Sequence, residues 1–213
     1  MKLYLSSYYL GNPTQILQDM VGQNKRAAVI ANSIDFLTGS ERSQRVGAEI
    51  ATLRELGFQS EELDLRNYFD SSEGLKQKLS EYGLLMLRGG NVFVLRRALA
   101  QSGFDEIIAP LLKEDKLVYA GYSAGACVVA PDLRGLELAD DPNIIPDGYN
   151  PEIIWQGLGL VDFAIAPKYN SDNPEAAAVE HITDYFNEHN VLFKVLPAGE
   201  VIVIDGENQK IIS

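Results

Sequence analysis

The sequence predicts an α/β fold: a largely parallel sheet with helices on both faces, finished by antiparallel C-terminal strands. Three observations carry this. Short continuous apolar runs, Ala27-Ala28-Val29-Ile30-Ala31 and Leu84-Leu85-Met86-Leu87, have the length of strands buried on both faces. Between such runs lie segments of helical spacing, as in Val46, Ile50, Leu53 and Leu56. Residues 191–212 instead carry closely spaced short strands with a turn at Asp205-Gly206.

The elements follow in order. Residues 2–6 alternate and predict a first strand, Asn12-Pro13 breaks the pattern, and residues 14–22 predict a short helix. After the 27–31 strand, a helix is expected from about Ser40 to Leu56, with Gly57 at the C-cap position. Phe58 to Leu65 reads as a strand. Ser72 is placed to cap a helix that runs to about Tyr82 and ends at Gly83. The 84–87 strand leads to helices over 92–101 and 105–114. Leu117 to Ala120 is the next strand, and a short helix reaching Pro131 follows it. Residues 132–159, rich in Asp, Pro, Gly and Asn, predict a long irregular excursion, and such loops often carry function. Val161 to Ala166 is a strand ending at Pro167. The last helix is expected to begin near Asn173-Pro174, with proline at its first position, and to run to about Glu188. No repeat, low-complexity segment or linker divides the chain, so residues 1–213 read as one domain.

Bulk properties exclude several function classes. The 213 residues suffice for a substantial core, and 46% hydrophobic with 23% charged residues is a globular balance. The net charge of −12 repels nucleic-acid backbones and anionic membranes, so neither is an expected partner. The single cysteine, Cys127, permits no internal disulfide. Met1-Lys2-Leu3-Tyr4-Leu5-Ser6-Ser7 is too short and polar for a signal peptide, and no run reaches a membrane-spanning length. The cytoplasm is the expected location. No metal-ligand cluster or dinucleotide fingerprint occurs, so no cofactor and no metal are implied.

Chemistry concentrates in Gly121-Tyr122-Ser123-Ala124-Gly125, a Gly-x-Ser-x-Gly motif between a predicted strand and a predicted helix. That context is a nucleophile elbow. Small neighbours let the backbone turn sharply at the serine, and the next helix turns free N–H groups toward its hydroxyl. The Ala124 amide is then placed to receive an oxyanion. Gly89-Gly90-Asn91 likewise joins a buried strand to a helix, and the glycine pair is suited to supply a second donor at the same sheet edge.

With these motifs in hand, the chain resembles the peptidase E (aspartyl dipeptidase) family of serine peptidases. The resemblance rests on Arg88-Gly89-Gly90-Asn91-Val92-Phe93, on Gly121-Tyr122-Ser123-Ala124-Gly125-Ala126, and on Gly157-Leu158-Gly159-Leu160 before a strand ending at Pro167. It implies a class-I glutamine-amidotransferase-like fold, with Ser123 as nucleophile and the Gly90 and Ala124 backbones as oxyanion hole. It also implies an acidic member in the loop after the elbow, Asp140 or Asp141, with Asp140 the better fit. Asn91, Tyr122 and Tyr169 flank these groups and are read as substrate-binding. The expected substrate is a short peptide, and the expected assembly is a monomer or homodimer.

The family's catalytic histidine follows the strand-ending proline, where this chain reads Pro167-Lys168-Tyr169. The expected base is therefore Lys168. An ordinary lysine titrates near ~10.4 and must lose its proton before it can accept one from serine. An acidic partner such as Asp140 opposes that loss. The two histidines offer little: His181 sits on a helix face with Asp184 and Glu188, and His189 lies near that helix's C-terminus. Cys127 reads as a small packing residue, and Trp155 as either a cover for the site or a core anchor. The arginine expected after the Pro-x-aromatic site is replaced by Asn170-Ser171-Asp172-Asn173, leaving Lys168 or Arg88 as candidate cations for an acidic substrate. Two functions follow as alternatives: a serine peptidase acting through a Ser123 acyl-enzyme, or an impaired member that binds a peptide or small acid. A glutamine-amidotransferase role would require cysteine at position 123.

Overall fold

The computed structural model describes residues 1–69, 71–169 and 176–213, apart from the side chains of residues 169, 176 and 177. Nine strands are described: β1 (Lys2–Ser6), β2 (Arg26–Ile30), β3 (Gln59–Glu62), β4 (Leu84–Leu87), β5 (Val118–Tyr122), β6 (Ala164–Tyr169), β7 (Phe193–Pro197), β8 (Val201–Asp205) and β9 (Asn208–Ile212). The helices are α1 (Thr14–Val21), α2 (Ser40–Glu55), α3 (Leu75–Leu79), α4 (Val92–Gln101), α5 (Phe104–Lys113), α6 (Ala124–Cys127) and α7 (Ala176–Glu188).

The main sheet has the order β3-β2-β4-β5-β1-β8-β9. Its first five members pair in parallel, and β8 and β9 add antiparallel. Side-chain alternation explains why both faces are covered. In β4, Leu84 and Met86 face a core shared with Leu17 of α1 and with Val46 and Leu53 of α2. Leu85 and Leu87 face the opposite core, shared with α4, α5, α6 and α7. Parallel strands buried on both faces need apolar residues at every position, which is why these runs are continuous. Among the described residues, no helix is long and apolar enough to cross a membrane.

Three elements depart from the sequence expectation. The helix after the elbow stops at Cys127 instead of reaching Pro131. The carbonyls of Val128, Val129, Ala130 and Pro131 accept hydrogen bonds from the amides of Leu158, Leu160, Gly159 and Gly157, at 2.8–3.1 Å, and so leave the helical ladder. The same pairing explains the second departure. Residues 157–161 are held against that segment, so β6 starts only at Ala164, and it pairs in parallel with β7 outside the main sheet. Third, Ser72 does not cap a helix. Gly74, at φ +80°, breaks the chain direction, and α3 is confined to Leu75–Leu79. The expected start of α7 at Asn173-Pro174 lies outside the described residues.

Gly157 marks how closely the loop approaches: a Cβ there would fall 2.1 Å from the Ala130 carbonyl oxygen. Gly47, exposed on α2, has open space and an ordinary helical backbone. Gly157→Ala is expected to lower the unfolding free energy by about 1–3 kcal/mol through overpacking. Gly47→Ala is expected to raise it by about 0.5–1 kcal/mol. Urea unfolding of both variants reads the two signs.

Candidate active site

The elbow is set by crowding. Ser123 adopts φ +48° and ψ −116°, a region that L side chains avoid. Such a conformation costs on the order of 1–3 kcal/mol and persists only where neighbours enforce it. The Ser123 carbonyl accepts the amides of Ala126 and Cys127 at 2.9 and 2.8 Å, which closes the turn. A Cβ at Gly121 would lie 2.3 Å from the Gly125 oxygen, and one at Gly125 would lie 2.1 Å from the Leu87 oxygen. Both glycines of the motif are therefore demanded by backbone contact. Tyr119 Oη donates to the Gly125 carbonyl at 2.7 Å and fixes the far side of the turn. Ala124 opens α6, so its N–H stands outside that helix's own ladder.

The glycine pair leaves the sheet beside the elbow. Leu87 of β4 stands opposite Gly121 of β5, so the residues after each strand emerge side by side. A Cβ at Gly89 would lie 2.7 Å from the Tyr122 ring, and one at Gly90 would lie 2.6 Å from the Ser33 carbonyl oxygen. Asn91 then caps α4, its Oδ1 accepting the amides of Phe93 and Val94 at 2.9 and 3.0 Å. Its Nδ2 donates to the Asp141 carbonyl at 2.8 Å. Asn91 borders the cleft, but both ends of its amide are engaged by protein.

Two acidic residues come from the long loop. Asp140 Oδ2 accepts the Val92 amide at 2.8 Å, so its carboxylate docks on the first turn of α4. Asp141 is exposed and folds its carboxylate onto the amide and side chain of Asn143. Arg97 of α4 shapes the loop behind them. Only 1% exposed, it donates to the carbonyls of Pro142 at 2.8 Å and Glu152 at 3.0 Å. Tyr149 Oη pins the loop further through Asp35 Oδ2, at 2.5 Å.

Lys168 enters from a β-bulge. The β6–β7 register pairs Pro167 with Leu196 and Tyr169 with Pro197, leaving Lys168 as the extra residue. It has φ +61°, its amide donates to Ser7 Oγ at 2.7 Å, and it is 7% exposed. Bulges re-aim a side chain, and this one sets Lys168 on the cleft that Ser123 also lines, its Nζ 5.8 Å from the Tyr8 ring centroid. Ser123, Lys168 and Asp140 line both a cleft of about 510 Å³ and a smaller hollow of about 30 Å³ behind it. Gly90, Asn91, Tyr122 and Asp141 also line the cleft. Tyr169 is described by its backbone alone, and residues 170–173 lie outside the described residues.

The remaining candidates resolve plainly. His181 and His189 are exposed, and neither lines the cleft; His189 stacks on Tyr185 at 3.9 Å. Trp155 is a core anchor, edge-on to Phe93 at 5.4 Å with the Arg134 guanidinium 5.5 Å from its centroid. Sequence reasoning missed Tyr8 and Tyr9 on the cleft rim, Ser7 beneath Lys168, and the buried Glu49, whose Oε2 accepts from Tyr122 Oη at 2.7 Å. Glu49 left a signal: it shares the buried face of α2 with Val46 and Leu53, where an apolar residue is the norm.

Comparison with known proteins bears on the whole chain. The model of peptidase family S51 matches residues 11–212. An uncharacterized peptidase of Listeria monocytogenes is 29% identical over 139 residues, 65% of this chain and 64% of that protein. A Drosophila melanogaster protein described as a probable alpha-aspartyl dipeptidase is 30% identical over 139 residues, 62% of this chain and 54% of its own length. The chain thus spans less than two thirds of the length of these relatives. Among solved structures, a candidate peptidase E protein from Listeria monocytogenes superposes with a TM-score of 0.75 at 22% identity, covering 99% of this chain and 97% of that one. A peptidase from an acI-B1 Actinobacterium gives 0.68 at 14% identity, covering 100% and 87%. The shared architecture is the parallel sheet with its antiparallel C-terminal edge.

Cys127, one turn beyond Ser123, is 4% exposed, and its Sγ lies 3.5 Å from the Ile165 carbonyl. Burial pushes its thiol well above the usual range; the Asp140 charge adds to the shift and Lys168 opposes it. The thiolate is the reactive form. Iodoacetamide at pH 8 is therefore expected to leave native Cys127 unmodified over hours and to alkylate it in denaturant, as read by intact mass.

Proposed function

The chain belongs to peptidase family S51, and on that footing we propose that it is a serine-type peptidase or dipeptidase acting on short peptides through Ser123. The observation that carries this reading is the strained Ser123 between β5 and α6, with Gly89-Gly90 beside it and Lys168 and Asp140 on the same cleft. Strain at one residue, enforced by two glycines in close backbone contact, is the signature of a preorganised nucleophile.

In this reading neutral Lys168 takes the Ser123 hydroxyl proton as Oγ attacks the peptide carbonyl. The carbonyl oxygen becomes an oxyanion facing the Gly90 and Ala124 amides. Collapse breaks the C–N bond, and the leaving amine takes the proton back from Lys168. Water then attacks the acyl-enzyme as Lys168 takes one of its protons; the ester bond from the acyl carbon to Ser123 Oγ breaks, Lys168 returns the proton to Oγ, and the carboxylic acid product leaves. Asp140, docked on the Val92 amide and lining the same cleft as Lys168, serves as the acidic member of the site. Asn91, Tyr122 and Tyr169 would contact substrate. The alternative reading, a binding protein for a peptide or small acid, is favoured by one observation: no imidazole lines the cleft, and a lysine stands beside an aspartate in its place.

A fluorophosphonate probe and Asp-X dipeptides separate the two readings. The enzyme reading expects Ser123 to be labelled and Ser123→Ala to lose at least about 10³-fold in turnover. It expects Lys168→Ala to lose about 10²-fold or more, as general bases usually do. A wild type that neither labels nor cleaves, with both restored by Lys168→His, would establish the binding role instead.

A further inference from the structure

Glu49 is a buried acid that the chemistry above does not use. It comes from α2, which packs over β2 and β3 rather than over the elbow. Its side chain is 4% exposed. Its Oε2 accepts a 2.7 Å hydrogen bond from Tyr122 Oη. The same oxygen faces Arg88 Nε at 3.6 Å, an attraction of charges longer than a hydrogen bond. Among the described residues the buried Arg88 Nε has no hydrogen-bond partner, while its Nη1 donates to the Gly89 carbonyl at 2.7 Å.

Both partners of Glu49 occupy special positions. Tyr122 immediately precedes the nucleophile, and Arg88 immediately precedes the glycine pair. We propose that Glu49 is a positioning residue that clamps the elbow and the Gly89-Gly90 turn at one spacing, a role that rests on the peptidase reading of the same site. The Tyr122 ring, so anchored, fills the space above Gly89 where a Cβ would meet it at 2.7 Å. Tyr9 packs on the other side of that ring, with centroids 5.6 Å apart. Burying a carboxylate costs solvation, and an apolar residue of similar volume usually serves stability as well or better. An acid kept in this place is therefore better explained by what it holds apart and together than by its contribution to folding. Burial pushes the Glu49 carboxyl upward, and Tyr122 and Arg88 offset only part of that shift.

The test uses the full chain carrying Glu49→Gln, Glu49→Met or Tyr122→Phe, with Leu17→Ala as a control for lost packing on the same face of the sheet. Two readouts are taken: the backbone amide resonances of Gly89, Gly90, Ser123 and Ala124, and the second-order rate of Ser123 phosphonylation. Glu49→Gln and Glu49→Met are expected to shift or broaden amides in both turns and to slow phosphonylation about tenfold, whatever their Tm. Tyr122→Phe is expected to disturb the elbow more than the glycine turn. Leu17→Ala is expected to lower Tm with both turns unchanged. The proposal is overturned if both glutamate variants leave the four amides in place, or if they slow labelling no more than Leu17→Ala does. A wild type that fails to label counts against the peptidase reading alone, because the amide readout still decides whether Glu49 sets the two turns.

Discussion

The close approach of β4 and β5 at their C-terminal ends is the constraint on which the site depends. Leu87 stands opposite Gly121, and the turn after β5 folds back until Gly125 nearly touches the Leu87 carbonyl. No side chain fits at either glycine, so the chain turns within the three residues between them, and the strain falls on the middle one. That residue is Ser123, and its positive φ is the result. The same proximity brings Gly89 against Tyr122 and Ser123, so the proposed oxyanion donors and nucleophile are spaced by backbone packing rather than by flexible side chains. Catalytic geometry built on strand ends is more exact than geometry built on loops.

Charge is then added from elsewhere in the fold. The long loop delivers Asp140 onto the first turn of α4, and the buried Arg97 holds the loop by its carbonyls. The bulge in β6 delivers Lys168. Although the chain carries a net charge of −12, the cleft is lined by Arg45, Arg88 and Lys168 as well as by Asp140 and Asp141. A global negative balance therefore coexists with a locally mixed cleft, and the local field is what a small substrate meets.

Much of this was legible in the sequence, for identifiable reasons. Continuous apolar runs exposed β2, β4 and β5, because strands buried on both faces leave no polar positions. The Gly-x-Ser-x-Gly spacing exposed the elbow because its glycines answer to steric contact. The long polar segment exposed the loop that carries Asp140. What stayed hidden depended on distant partners. The end of α6 at Cys127 and the late start of β6 both follow from carbonyls claimed by residues 157–160, a pairing that no local propensity encodes. The bulge at Lys168 follows from register against β7. Ser72 looked like a helix cap until Gly74, two residues on, took the left-handed turn. Glu49 did break the apolar pattern of α2, but its meaning appears only once Tyr122 and Arg88 are seen beside it.

The central claim is that Ser123, Gly90 and Ala124 form one preorganised acyl-transfer site. A crystal structure of the protein after reaction with a fluorophosphonate tests it most directly. The account predicts a covalent bond from Ser123 Oγ to phosphorus, with the phosphonyl oxygen within about 2.7–3.1 Å of both the Gly90 and Ala124 amides. An adduct whose oxygen points to solvent, away from both amides, would contradict it.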